Sequence, residues 1–181
     1  GFNIRRILAD HLKSHELVPA DVTDVCLSHS HYDHAINWNM FPKARIHIAE
    51  TEMDWAEDLP DGHHLVPELY IRALKDSPQL RLVKDGDEVV PQMRAYLTPG
   101  HTPGSAVYVL HGGERDMVFT GDAAKNRSEL IHRKADLTMD AEASSRSIQR
   151  IMDFWQKRAG SICVPGHDIP MVLKDGKPFH I

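Results

Sequence analysis

Four residues able to bind a metal ion fall within six positions of the stretch Cys26-Leu27-Ser28-His29-Ser30-His31-Tyr32-Asp33-His34-Ala35. Histidine and aspartate are poor core residues unless paired or bound, so packing does not account for the cluster. The preceding run, Val22-Thr23-Asp24-Val25-Cys26-Leu27, is apolar and β-rich, which puts the cluster where a strand ends and the chain turns. Alternate residues at a strand end share a face, so His29 and His31 can point at one spot. Asp33 and His34, past the strand, can be aimed at a second spot nearby. The spacing predicts two adjacent sites.

Three further segments each set a ligand-type residue beside glycine at the end of an expected strand. They are Leu97-Thr98-Pro99-Gly100-His101-Thr102-Pro103-Gly104, Phe119-Thr120-Gly121-Asp122-Ala123 and Val164-Pro165-Gly166-His167-Asp168. Glycine and proline fix tight turns that aim the next side chain. Five histidines and two aspartates result, all at strand-to-loop junctions. Imidazole nitrogen and carboxylate oxygen without cysteine suit zinc with an open coordination position, with iron or manganese as alternatives. Neutral imidazoles leave a dication's charge largely unquenched, so a bound water ionises near neutral pH. A carboxylate shared by two cations can hold them roughly 3.5–4 Å apart, where one hydroxide bridges both and serves as a nucleophile. Structural zinc sites are closed and often rich in cysteine, so this donor set points to catalysis.

The elements that must position these residues are legible in outline. Ile4, Ile7, Leu8 and Leu12 predict an amphipathic helix over 4–15, ended by Leu17-Val18-Pro19-Ala20-Asp21. Ala44 to Ala49 alternates as a second strand. Glu50 to Leu80 reads as irregular, with a turn at Pro60-Asp61-Gly62 and a helix from Pro67 to Leu74. Its place suggests an insertion over one face that shapes the substrate pocket. Runs at 81–83, 88–90, 93–97, 106–110 and 117–120, separated by turn residues, predict a strand meander. Ala141 to Arg158 carries Ile148, Ile151, Met152 and Trp155 on one stripe, a helix with Asp140 as N-cap. A last strand spans 161–164. No repeat or linker interrupts the 181 residues, which predict a single domain over 1–181.

Bulk properties narrow the partners. A net charge of −5 gives no general basic footprint for nucleic acid. No apolar run approaches a membrane span, and the first residues do not form a signal peptide. Cys26 and Cys163 sit in short apolar runs and read as buried, reduced thiols of a cytoplasmic protein. Among the other histidines, His47 reads as strand packing, while His11, His15, His111, His132 and His180 read as surface residues. His63 and His64 read as a solvated loop pair or as pocket lining. Tyr32 could orient substrate or pack at the site edge, and Lys125, Asn126 and Arg127 could contact an anionic substrate group or face solvent. Trp38 and Trp55 could form an apolar pocket wall, and Asp168 could partner His167, as carboxylates do for ligating histidines.

Taken in order, His29-x-His31-x-Asp33-His34, His101 in Thr-Pro-Gly-His-Thr-Pro-Gly, Asp122 in Gly-Asp-Ala and His167 in Pro-Gly-His resemble the metallo-β-lactamase-fold hydrolase superfamily. The similarity runs from Leu17 to Val172. It implies an α/β fold, a four-layer αββα sandwich with metals at one edge of its two sheets. It also implies that His29, His31 and His101 hold a first zinc ion, that Asp33, His34 and His167 hold a second, and that Asp122 bridges them. Asp33 or Asp122 would carry a proton to the leaving group, with Tyr32, Lys125, Arg127, His63 and His64 toward the substrate.

Two departures from the family pattern stand out. The usual first strands are missing before the initial helix, which implies a truncated or processed form, or neighbouring subunits that cover the exposed sheet in a homo-oligomer. Gly1-Phe2-Asn3 could be a remnant foreign to the domain. The other departure is from class B β-lactamases, whose first motif generally lacks the equivalent of His34. Its presence favours the lactonase, thioesterase and nuclease branches. The expected reaction is hydrolysis of a carbonyl ester, lactone or thioester of a small molecule. A phosphodiesterase or nuclease is the second reading, promiscuous β-lactam hydrolysis the third, and a metal-binding but inactive scaffold the non-enzymatic one.

Overall fold

Helix α1 (Ile4–Ser14) opens the part of the chain that the computed structural model describes, residues 4–181. The remnant reading of residues 1–3 lies outside the described residues. A single 3-10 turn at Pro19–Asp21 leads into strand β1 (Asp24–Cys26), shorter than the run predicted from the apolar pattern. Helix α2 (Tyr32–Ala35) is one turn, followed by strand β2 (Arg45–Ala49). Helices α3 (Glu50–Glu57) and α4 (Glu68–Lys75) then lead to strand β3 (Leu80–Val83). The three strands form an all-parallel sheet in the order β1-β2-β3.

That topology corrects two expectations. Residues 50–80 are not an irregular insertion, because parallel strands need a crossover, and α3 with α4 provides it. Met53, Ala56, Ile71 and Leu74 pack with Ile46, Ile48, Leu27 and Trp38, so Trp38 belongs to the core. The α3 segment hid its helix because its sequence, ETEMDWAE, is mostly polar. Strand β3 closes this sheet and does not begin the meander.

The second sheet has seven strands in the order β10-β9-β8-β7-β6-β5-β4. They are β4 (Glu88–Val90), β5 (Met93–Leu97), β6 (Ala106–His111), β7 (Asp116–Gly121), β8 (Ile162–Pro165), β9 (Met171–Lys174) and β10 (Lys177–His180). Strands β4 to β7 form the expected antiparallel meander. Strand β8 joins β7 in parallel, after helices α5 (Arg127–His132) and α6 (Ala141–Gln156). Asp140 caps α6, its side chain accepting the Ala143 N–H at 2.9 Å.

Core clusters give the layer order. One face of the second sheet, with Val107, Val109, Val118 and Cys163, packs on Ile148, Ile151, Met152 and Trp155 of α6. Its other face, with Ala95, Ala106 and Tyr108, meets Ala49 and Val83 of the first sheet. Adjacent residues of β6 thus serve opposite layers, as strand geometry requires. The order is helix, sheet, sheet, helix. Tyr108 ties the sheets together, its hydroxyl donating to the Leu27 carbonyl at 3.0 Å. Among the described residues, no helix is long and apolar enough to cross a membrane.

Candidate metal centre

Strand directions bring the motifs to one edge. Strand β5 is antiparallel to β6 and β6 to β7, so β5, β7 and β8 all run the same way. His101, Asp122 and His167 each follow the end of one of these strands. The first motif arrives from β1, which stops at Cys26, so loop geometry, not strand alternation, brings His29 and His31 together. The single turn of α2 carries Asp33 and His34, with the N–H groups of His34 and Ala35 bonded to the His31 carbonyl.

All seven side chains converge. Ligand atoms of His29, His31 and His101 lie within 4.8 Å of one another, as do those of Asp33, His34 and His167, and those of His29, His34 and Asp122. Asp122 faces both ways. Its Oδ1 lies 3.3 Å from His34 Nε2 and 3.2 Å from His167 Nε2, and its Oδ2 lies 3.4 Å from His101 Nε2. Asp33 Oδ2 sits 3.4 Å from both His34 Nε2 and His167 Nε2. His101 Nε2 is 3.1 Å from His31 Nδ1.

The donor set fits divalent metal. Nε2 of His29, His31 and His34 and Oδ1 of Asp122 are buried without a hydrogen-bond partner. Several such atoms at one point are costly unless an ion satisfies them. Burial and the neighbouring His34 and His31 hold His29 far below the usual histidine range. Burial, with His101 beside it, lowers His31 to about 4, and burial lowers His101 as well. Neutral imidazole is the form that binds metal. Burial opposes the charge of His34 too, but Asp122 and Asp33 outweigh it and raise this histidine. For Asp122 burial works upward, yet His34, His29 and His167 hold the carboxyl well below its usual range.

Surrounding groups aim the ligands. His101 Nδ1 donates to the Leu137 carbonyl at 3.1 Å, which fixes the tautomer and leaves Nε2 as the lone-pair donor. Leu137 itself adopts φ 47°. Its segment is held by Glu129, which is buried and accepts the Asp136 N–H at 2.8 Å. Lys125 Nζ bonds the Asp136 carbonyl and pairs with Glu129 Oε1 at 2.9 Å, and the Lys125 carbonyl accepts the His167 N–H at 2.8 Å. The lysine expected at the substrate is thus largely buried in the supporting network.

Arg127 is likewise engaged, its Nε donating to the Pro178 carbonyl at 2.7 Å and its guanidinium lying 5.7 Å from the Phe179 ring centre. Asp168 accepts the N–H groups of Arg127 and Ile169. Asp168 also pairs with His180 Nε2 at 3.1 Å, so both residues are tied to the C-terminal hairpin. His47 pairs with Asp24 at 2.8 Å.

Beside the centre lies a cavity of about 470 Å³ lined by His31, His64, Leu65, His101, Leu137, Thr138 and Met139. Of the five residues expected to touch substrate, His64 lines it. His63 stacks on His64 with ring centres 5.2 Å apart and meets Trp55, which in turn edges His31 at 6.2 Å. Tyr32 is exposed at the start of α2. Sequence reasoning missed Glu129, Leu137 and Met139. Only Glu129 had a signal: Asn126 three residues before it is the pattern of a helix start, and the Asn126 side chain accepts the Glu129 N–H.

Two packed sheets with outer helices, and histidine and aspartate side chains gathered at their strand ends, are the architecture of the metallo-β-lactamase fold. The chain belongs to the metallo-β-lactamase superfamily, whose family model matches residues 1–167. It is 26% identical over 153 residues to an N-acyl homoserine lactonase of Bacillus cereus, covering 83% of this chain and 58% of that protein. It is 29% identical over 174 residues to human metallo-beta-lactamase domain-containing protein 1, covering 94% of this chain and 57% of that one. The chain therefore spans a little over half the length of these relatives. Among solved structures, an N-acyl homoserine lactone hydrolase with the product N-hexanoyl-L-homoserine bound at its catalytic metal centre superposes with a TM-score of 0.72. That match has 25% identity and covers 89% of this chain and 62% of the other.

Proposed function

We propose that this domain hydrolyses a lactone or related carboxylic ester at a dinuclear zinc centre. The observation that carries the reading is the double-faced Asp122, whose two oxygens address different imidazoles, one of which, His101, lines a largely apolar cavity. His29, His31 and His101 would hold one ion and Asp33, His34 and His167 the other. Ions bound there lower the pKa of water and polarise a carbonyl. Buried Asp122 would bridge the two ions, while Asp33, half exposed, would pass a proton to the leaving group. His64, Leu65, Leu137 and Met139 receive the acyl chain, with water excluded by their apolar surfaces. The free thiols Cys26 and Cys163 accord with a reducing compartment, the cytoplasm.

A homologous series of N-acyl homoserine lactones and simple γ-lactones tests this reading. Each methylene that enters the cavity gains up to about 0.8 kcal/mol, roughly fourfold in kcat/KM. Rates that ignore chain length, or turnover of phosphodiesters with none of lactones, contradict it.

A further inference from the structure

Glu52 lies in the first turn of α3 and its side chain is wholly buried, although it approaches none of the seven centre residues in the contacts described above. Its Oε1 accepts the Ser30 N–H at 2.9 Å and the Ser30 hydroxyl at 2.8 Å. Its Oε2 accepts the Thr102 hydroxyl at 2.7 Å and the Gly104 N–H at 3.0 Å. Ser30 stands between His29 and His31, and Thr102 follows His101. One carboxylate thus grips both loops that carry one set of three histidines. The grip is close: a Cβ on Gly104 would lie 2.1 Å from the Glu52 backbone nitrogen. The Thr102 hydroxyl can donate to Glu52 because Ser105 Oγ, at 2.6 Å, supplies its other bond.

We infer that Glu52 is a positioning residue that holds the His29/His31 loop and the His101 loop in register, and so sets the affinity of the His29, His31 and His101 site alone. The inference rests on the reading that these histidines bind metal. Four donors converge on two oxygens, a task for an anion that accepts only. Glutamine in its place presents an N–H₂ to two of those donors, which forces one loop away from the other. The Asp33, His34 and His167 set lies one step further from this clamp: α2 hangs from the His31 carbonyl, and Lys125 holds His167 at the β8 end.

Chelator-stripped protein titrated with Co²⁺ and followed by absorption spectroscopy and metal stoichiometry tests this. His101→Ala and His167→Ala assign the spectra of the two equivalents. Glu52→Gln is expected to behave like His101→Ala, weakening that equivalent about 10- to 100-fold and leaving the other at the wild-type affinity. Wild-type affinity for both equivalents overturns the inference. So does equal weakening of both in step with a lower apoprotein melting temperature, the mark of a merely structural role. Where Glu52→Gln fails to fold, Thr102→Val, which removes one donor and keeps shape, carries the same comparison, and wild-type binding by it overturns the inference. Wild-type protein that takes up no metal contradicts the metal-centre reading itself.

Discussion

Asp122 couples the two halves of the centre through a single side chain, because each oxygen faces different imidazoles and the carboxyl stays anionic beside them. Replacing it leaves the histidines without a common partner. Asp122→Ala is expected to lower metal content below two equivalents per chain and to cut turnover at least about 100-fold, as measured by elemental analysis and lactone hydrolysis. Full activity in a metal-poor Asp122→Ala protein contradicts a two-metal mechanism. His64→Ala is expected to raise KM for long-chain substrates and leave metal content unchanged, since His64 lines the cavity through a side chain stacked on His63. At this scale the seven convergent residues were legible because each sits in a short motif whose composition serves no packing purpose. Glu52 and Leu137 were not, because what matters is a buried carboxylate in an ordinary helix and a backbone carbonyl, neither of which has a sequence signature.

Elements hold the loops through close approaches of backbone to backbone. Gly104 lies against the start of α3, and Gly100, at φ 140°, lies against Ser144 of α6, where an added Cβ would come within 2.5 Å of the Ser144 nitrogen. Neither position has room for a methyl group. Gly104→Ala is expected to cost about 1–3 kcal/mol of stability, read from the midpoint of urea unfolding. Helix α6 is the main support of the second sheet, with Trp155 buried and its Nε1 donating to the Ser161 carbonyl at 2.8 Å. Trp155→Ala is expected to cost about 3–5 kcal/mol by the same measurement. Helix α6 and strands β5 to β8 were legible from period and turn residues. The β9–β10 hairpin was not: its turn, Asp175-Gly176, has both residues at positive φ, but its strands are half exposed and carry polar residues at their ends. Helix α3 was hidden for the opposite reason, as its buried face includes Glu52, a residue that a hydrophobic pattern counts as exposed.

Across the whole molecule, stability depends on acid pH through ion pairs such as the cluster on the first sheet. Burial raises the Asp24 carboxyl, but hydrogen bonds from Arg45 and His47 outweigh this and hold it at about 2, below its ordinary 3.8. A depressed carboxyl contributes stability that is complete above the unfolded value and is lost as pH falls through the folded one. The stability advantage of wild type over Asp24→Asn, measured by chelator-stripped thermal melts, is expected to shrink as pH falls from about 4 to about 2. An advantage that stays constant across that window contradicts the assignment. The two sheets deliver seven histidine and aspartate side chains to one edge, and the function proposed for that edge requires two ions there. Stepwise Zn²⁺ loading of stripped protein, with lactone hydrolysis followed at each step, tests it most directly. Two equivalents bound per chain, with turnover rising to its maximum as the second is filled, is the predicted result. A protein that saturates at one equivalent, or that holds two and hydrolyses no lactone, ester or thioester, would contradict it.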